Sequence, residues 1–574
     1  MTSPSPPVEQ LASFEDKAQH EEIESAQPGF GLDPAEVAAH APSLRGRRLT
    51  AALAFVAGTG FTLFGYDQGV MSALLTANQF EDTFPQVIVE SSHPNHATLQ
   101  SFLIAIYEVG CLTGALSNLW IGDKLGRRRT IFLGGWIMII GAIVQTASYN
   151  YWQLVAARIF TGFGNGLNTS TVPTYHAECS PAAKRGKLIM LEGSLITFGV
   201  TVAYWFDFAL YFSTGSSAQW RVPIALQLIF EFIMVICVGF LPESPRWLMK
   251  HGHHAEAMAV ISALEDKDPS HPEVQRTYYG IREAVAIEND VLPNGEKDSS
   301  PNAQMRSNKA SLRELLTGGR SQNFRRATIG VVCQMMQQLT GINLITYYAT
   351  ILFQRLGLSD VNSRIMAAAN GTEYFLASYI AYALVERVGR RTLMLVGTAG
   401  QCVTMLLLAI LGSINNGPAQ IISAILLFAF NTFFAIGWLG MAWLYCAELS
   451  GLRIRAPANA LSTASNWTFN FVVVMVVGPS FNNISWKTYI VFAALNAAIL
   501  PVIYFFFPET GGRSLEDMDV VFAFAYNEGL DPVKVSLRKD IPLAGSPEAD
   551  EILGVNPGLR SPYGTSTPTT PVDP

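Results

Sequence analysis

Apolar runs of about the length that crosses the hydrocarbon core of a bilayer as a helix, roughly twenty residues, recur along this sequence from one end to the other. They fall at 50–72, 101–121, 130–148, 152–173, 188–211, 221–241, 327–354, 364–385, 392–412, 420–447, 457–480 and 487–507. A chain with twelve such runs can satisfy its backbone in lipid only as helices. Charged residues make up 14% of the 574 positions and hydrophobic ones 49%, against about 25% charged in an ordinary soluble protein. The expected fold class is therefore an all-α membrane protein.

Charge placement orients the spans. The segment 73–100 and the short connections at 148–151, 213–219 and 413–419 contain no Lys or Arg. The alternate connections carry Lys124, Arg127, Arg128 and Arg129, then Lys184, Arg185 and Lys187, then Arg387, Arg390 and Arg391, then Arg453 and Arg455. The positive-inside rule places these basic connections, and both termini, in the cytoplasm. Arg221, Arg355, Arg364 and Lys487 are exceptions that border the opposite loops.

The polar segments complete the layout. The expected division is 1–45 as a disordered N-terminus, 46–241 as a first six-helix bundle, 242–325 as a cytoplasmic linker with short helices, 326–508 as a second bundle, and 509–574 as a largely disordered tail. Pro242–Leu264 reads as helical, Leu292–Ser307 as linker, and Ser311–Leu316 as a further short helix. The end of the chain is rich in Pro, Ser, Gly and Thr, a composition with little apolar surface to bury. The six cysteines show no paired spacing, so neither a disulfide framework nor a zinc site is expected. The net charge of −7 and the lack of basic runs argue against nucleic acid as a partner. No phosphate loop, metal cluster or nucleophile–base pair stands in context, so neither enzyme activity nor a cofactor is expected.

The two halves of the sequence repeat one another. Asp123-Lys-Leu-Gly-Arg127-Arg128 follows the second span, and Glu386-Arg-Val-Gly-Arg390-Arg391 follows the eighth. Glu178 precedes Arg185 by the same interval as Glu448 precedes Arg455. Pro242-Glu243-Ser244-Pro-Arg246 closes the first half, and Pro508-Glu509-Thr510-Gly-Gly-Arg513 the second. A parallel repeat of this kind marks carriers that work by alternating access, with the site between the halves. Arginine and carboxylate at neighbouring helix ends can pair in bidentate fashion. The expected gate is thus built from Asp123, Arg127, Arg128, Glu178, Arg185, Glu243, Arg246, Glu386, Arg390, Arg391, Glu448, Arg455 and Glu509, its pairs forming where the halves close on the cytoplasmic side.

These motifs resemble the sugar porter family of the major facilitator superfamily over most of the chain. The resemblance also rests on Gly65-Tyr-Asp67-Gln-Gly69, Arg158 with Gly162, Gly164 and Gly166, Pro173-x-Tyr175-x-x-Glu178, and Gln337-Gln338-x-x-Gly341-x-Asn343. Met190-Leu-Glu-Gly193-Ser, Ala203-Tyr-Trp-x-Asp207-Phe and Gly319-Arg-Ser-Gln-Asn323 look like the fungal branch that includes glycerol–proton symporters. The resemblance implies the major facilitator fold, with twelve transmembrane helices in two six-helix bundles and a cytoplasmic helical linker domain. It implies proton coupling through Asp67 and Arg158, and solute binding by Gln337, Gln338, Asn343, Trp443, Asn470 and Tyr374. The partners so implied are a small sugar or polyol, a proton and the lipid bilayer, for a monomer in the plasma membrane.

Independent of the family, Asp67 lies inside a span, where a carboxylate costs about 2.5–3.5 kcal/mol on insertion scales and marks a functional site. Burial disfavours its charge and an approaching Arg158 restores it. Amides both donate and accept, which suits hydroxyl groups. Glu108, Glu192, Asp207, Glu231 and Glu373 are further carboxylates within spans, open to packing or coupling roles. Three departures from the family pattern stand out: Gly193 where a glutamine is usual, Tyr374 where asparagine is frequent, and Gly440-Met441-Ala442 before Trp443. Gly193 leaves room for a larger solute, Tyr374 suits a smaller one, and Glu192 stands beside the vacated position. The expected function is proton-coupled import of a hexose, pentose or glycerol-like polyol. An uncoupled facilitator, an exporter of another hydroxylated metabolite, and a non-transporting sensor are the alternatives.

Overall fold

The structure, a computed structural model, describes residues 32–89, 95–180, 185–289, 313–414, 416–451, 454–544 and 546–554. Its long helices are α1 (Gly46–Leu74), α2 (His96–Leu125), α3 (Arg127–Thr146), α4 (Tyr151–Glu178), α5 (Arg185–Tyr211), α6 (Ala218–Gly239), α7 (Asn323–Leu339), α8 (Ile342–Arg355), α9 (Asp360–Val388), α10 (Arg390–Ile414), α11 (Gly417–Gly437), α12 (Met441–Leu449), α13 (Arg455–Asn483) and α14 (Lys487–Phe506). Each of the twelve apolar runs falls on one of these helices or on a pair. Two runs are broken: the seventh into α7 and α8 at Gly341, and the tenth into α11 and α12 across Trp438–Gly440.

Among the described residues, nine helical stretches are long and apolar enough to cross a membrane. The other three of the twelve expected spans fall short for physical reasons. Helices α4 and α9 carry inward polar residues such as Arg158, Asn165 and Asn168, or Arg364 and Asn370. The break at Gly341, whose φ is 98°, divides the seventh, and glycine takes that conformation without steric penalty.

The packing repeats as the sequence does. In the first half α1 packs on α5, α2 on α4, α3 on α4 and α3 on α6. In the second, α7 packs on α13, α9 on α11, α10 on α11 and α10 on α14. Between the halves α2 packs on α13 and α5 on α9, the two contacts that the repeat exchanges. Close approach depends on glycine. A β-carbon on Gly65 would stand 1.8 Å from the Ile196 carbonyl oxygen, and one on Gly162 would stand 2.2 Å from that of Tyr107. Large apolar side chains such as Trp136, Ile140, Phe160, Ile229 and Ile425 point outward, as lipid-facing helices require.

The tail, expected to be largely disordered over 509–574, is helical in part. Helices form at Leu515–Asn527, Pro532–Ser536 and Pro547–Leu553. Val520, Val521, Ala525, Val535, Ile541 and Ala549 form one buried cluster. Composition averaged over the Pro- and Ser-rich end hid apolar residues that fall at helical spacing. Arg325 and Arg326 tie the tail to the start of α7 through Asp531 and Asp519, at 2.6 and 2.5 Å. Part of the segment 1–45 is likewise ordered. Asp33 caps a short helix, Pro34–Ala39, whose Val37 is buried against the linker helices. Helices Pro245–Lys250, His254–Glu265 and Pro272–Asn289 form the linker, the last of them unread in the sequence. The expected linker 292–307, residues 1–31 and residues 555–574 lie outside the described residues.

Candidate solute and proton site

The seventh run supplies Gln334, Gln337 and Gln338 on one face of α7, at i, i+3 and i+4. Asn466 and Asn470 are four apart on α13 and face them. Gln337 Nε2 donates to the carbonyls of Trp438 and Leu439, at 2.9 and 3.2 Å, where the chain breaks between α11 and α12. Asn466 Nδ2 donates to Gln334 Oε1 and Gln337 Oε1 at 2.7 and 2.8 Å. Asn343 Nδ2 donates to Gln338 Oε1 at 2.5 Å and to Asn470 Oδ1 at 2.6 Å. Gln337, Gln338, Asn343 and Asn470, four of the residues read from sequence, thus share one buried amide network, joined by Asn466 and by Gln334, which the reading missed. The i, i+3 spacing of Gln334 to Gln337 was the signal available.

Trp443 and Tyr374 are not in that network. Trp443 is half-buried on α12 and makes no hydrogen bond to it, while the fully buried Trp438 donates from Nε1 to Thr398 at 2.9 Å. Tyr374 is buried with its ring centroid 6.2 Å from that of Phe434. Gly193 opens no extra room: a β-carbon there would meet the backbone of Gly440 at 3.3 Å, so the glycines of α5 and of the α11–α12 break pack together. Neighbouring Glu192 is engaged, its Oε1 standing 2.7 Å from His176 Nδ1.

Asp67 and Arg158 are both 1% exposed, yet they do not form an ion pair within 4.0 Å. Tyr107 stands between them. Its hydroxyl donates to Asp67 Oδ2 at 3.0 Å, and the Arg158 guanidinium lies 4.6 Å from its ring centroid, a cation–π contact. Arg158 Nη2 also donates to the Ile104 carbonyl at 3.3 Å. Tyr107 shows no role in the sequence alone, because an aromatic on an apolar helix reads as packing.

The arginine motifs pair within each half. Arg127 grips Glu178 through Nε and Nη2, at 3.0 and 2.9 Å. Arg390 grips Glu448 likewise, at 3.1 and 2.8 Å, and also holds Glu386 at 3.0 Å. Asp123 pairs with Lys250 of the linker at 2.7 Å. Glu243 and Glu509 take backbone N–H groups instead of guanidinium groups: those of Arg127 and Arg390, both at 2.8 Å, and those of Arg128 and Arg391. They cap the N-termini of α3 and α10, where a carboxylate suits the helix dipole. Burial pushes the Glu243 carboxyl up from its usual range, against the pull of the N–H groups of Ser244, Arg127 and Arg128. Arg391 bonds the Tyr504 carbonyl at 2.7 Å, and Arg455 the Ser450 carbonyl at 3.4 Å. Arg246 lies near enough to Glu178 to favour its charge. The Arg185 side chain lies outside the described residues. The expectation that these pairs bridge the two halves is thus corrected: each observed pair joins elements of one half or its linker.

Hydrogen bonds between the halves cluster, among the described residues, at the end away from the arginine motifs. Arg364 of α9 donates to the carbonyls of Ala73 and Thr76 at 2.7 and 2.8 Å. Ser101 and Tyr348 share a bond of 2.9 Å, and Thr201 donates to the Gly371 carbonyl at 2.8 Å. Among the described residues the basic end has no counterpart, so there this arrangement is latched at one end only. Arg364→Ala is expected to unlatch it. Alkylation of a cysteine placed at Thr350 should rise several-fold in the variant, and an unchanged rate would show that Arg364 holds nothing shut.

A family described as sugar (and other) transporter matches residues 53–522. A sugar transporter, STL1 of Saccharomyces cerevisiae, is 40% identical over 500 residues, covering 86% of this chain and 84% of that one. An MFS-type transporter, oryC of Aspergillus oryzae, is 40% identical over 484 residues, covering 83% and 86%. The solved structure of the major facilitator proton:xylose symporter XylE, bound to 6-bromo-6-deoxy-D-glucose, superposes with a TM-score of 0.68 at 24% identity, over 83% of this chain and 99% of that one. That likeness establishes the major facilitator fold for the multi-pass helical body. On the match across most of its length and on its similarity to the yeast and Aspergillus transporters, the chain belongs to the sugar (and other) transporter family.

Proposed function

We propose that the protein is a proton-coupled symporter that imports a monosaccharide or polyol by alternating access. The observation that carries this reading is the joint burial of an amide network and a carboxylate–tyrosine–arginine assembly. The network of Gln334, Gln337, Gln338, Asn343, Asn466 and Asn470 offers donors and acceptors in the proportions that a polyhydroxylated solute needs. Entering hydroxyl groups exchange with the amide–amide bonds, so no buried polar atom is left unsatisfied. The names of the yeast relative and of the solved symporter support the same class of solute and ion.

The basic end is the cytoplasmic one, with both termini inside and the chain in the plasma membrane as a monomer. Arg364 and its neighbours close the outer mouth in the present arrangement, which therefore faces inward. In the outward-facing state Asp67 takes a proton from outside. Solute then binds and the halves rock. Tyr107 and Arg158 recover the charged carboxylate as the proton leaves on the cytoplasmic side. The pairs Arg127–Glu178 and Arg390–Glu448 keep each half rigid as it rocks.

Asn343→Ala tests the site. It removes two hydrogen bonds of about 0.5–1.5 kcal/mol each. KM for the transported solute, sought among labelled glycerol, longer polyols, pentoses and hexoses, should rise about 10-fold or more with surface expression unchanged. An unaltered KM would remove Asn343 from the site.

A further inference from the structure

A second buried carboxylate, Glu108, adjoins the proton site and belongs to none of the motifs above. It is fully buried on α2, one residue beyond Tyr107. Its Oε1 accepts a hydrogen bond from the Tyr347 hydroxyl at 2.6 Å, and its Oε2 has no partner. Tyr347 lies on α8, across the boundary between the halves, and is itself fully buried. It stands four residues beyond Asn343, hence on the same helix face. Adjacent residues of α2 thus reach two places. Tyr107 touches Asp67, and Glu108 touches the helix that carries the solute-binding asparagine.

The charges do not balance. Asp67 from α1 and Glu108 from α2 both feel Arg158 from α4, the one cation acting on either among the described residues. Tyr107 and Cys111 on α2 and Tyr347 on α8 are the other titratable groups facing Glu108. Glu231 on α6 adds a third buried carboxyl near Asp67, with both oxygens unpartnered. Helix α13, packed on α2, brings no titratable residue beyond Arg455 at its first position. Arg158 Nε is itself unpartnered. One guanidinium cannot neutralise two buried carboxylates, and an uncompensated buried charge is strongly disfavoured. With one guanidinium near both, at most one of the two is held charged by it.

We propose that Glu108 is a second coupling carboxylate, linking the proton held at Asp67 to the solute site through Tyr347. Resting on the symport reading, this deepens it. The charged carboxylate accepts the Tyr347 hydroxyl and holds α8 against α2. When Glu108 takes the proton, that bond weakens and α8 is released, together with Asn343. The proton comes from the outer solution and leaves to the cytoplasm, so no other reactant is needed.

The test uses the full chain in proteoliposomes, as wild type, Asp67→Asn, Glu108→Gln and Tyr347→Phe. Labelled-solute accumulation under a pH gradient, KM against pH, and counterflow at equal pH are measured. Wild type should accumulate solute, and its KM should change by up to about 10-fold per pH unit on the steep limb. Glu108→Gln should lose most of the pH dependence of KM. Tyr347→Phe removes a donor to the charged carboxylate, so its KM profile should move to higher pH. A Glu108→Gln protein with the wild-type profile and accumulation would overturn the proposal, as would an unmoved Tyr347→Phe profile if Glu108→Gln fails to fold. A wild type that transports without accumulating would instead sink the symport reading, and this proposal with it.

Discussion

Asp67→Asn is expected to abolish uphill transport while leaving solute exchange. A proton moving inward across 100 mV gains about 2.3 kcal/mol, and a gradient of one pH unit adds about 1.4 kcal/mol. With one proton per solute, together they support accumulation on the order of 500-fold. Asparagine cannot carry the proton, so accumulation should fall to about onefold. The substitution is nearly isosteric, and its amide oxygen can still accept the Tyr107 hydroxyl that now donates to Oδ2 at 3.0 Å. Counterflow, which needs binding and rocking but no proton gradient, should therefore survive. A purely packing role predicts the reverse pattern, with protein lost from the membrane and uptake and exchange falling in parallel. Labelled-solute accumulation, normalised to surface protein, separates the two.

Gly162→Ala should have a large effect on folding for a single methyl added near the proton site. The added carbon would stand 2.2 Å from the Tyr107 carbonyl oxygen and 3.1 Å from the Gly110 Cα. Both are backbone atoms of α2, so relief requires α4 to move away as a body. Overpacking of this kind costs about 1–3 kcal/mol, and contact with backbone puts this case at the upper end. The melting temperature in detergent should fall by several degrees, on the order of 5 °C. Coupling should weaken in whatever protein folds, because Arg158 and Tyr107 sit at the same helix contact. Gly239→Ala is the control, since a β-carbon there meets nothing within 4 Å. Equal melting temperatures for the two variants would contradict the close-packing account.

The helical body was legible in the sequence because bilayer thickness fixes the length of an apolar run, and because the repeat shows in charge motifs at the helix ends. The pairing of Arg127 with Glu178 follows from residues that can only pair or be solvated at those ends. What escaped was relational. Tyr107 and Tyr347 look like apolar filling until the fold brings them to Asp67 and Glu108. The space at Gly193 looks vacant until Gly440 is found in it. Ion pairs that looked like bridges between halves lie within them, since one sequence motif cannot state which neighbour its partner belongs to. The ordered tail was hidden by proline and serine content, although Ser514 and Asp517 form a capping box that starts its first helix.

The central claim is that a proton enters with each solute molecule. It is tested most directly by recording external pH in a weakly buffered suspension of cells expressing the protein, as polyols, pentoses and hexoses are added in turn. The account predicts a prompt alkalinisation for the transported solute, saturating at the same concentration as labelled uptake. Saturable labelled uptake with no change in external pH would contradict it.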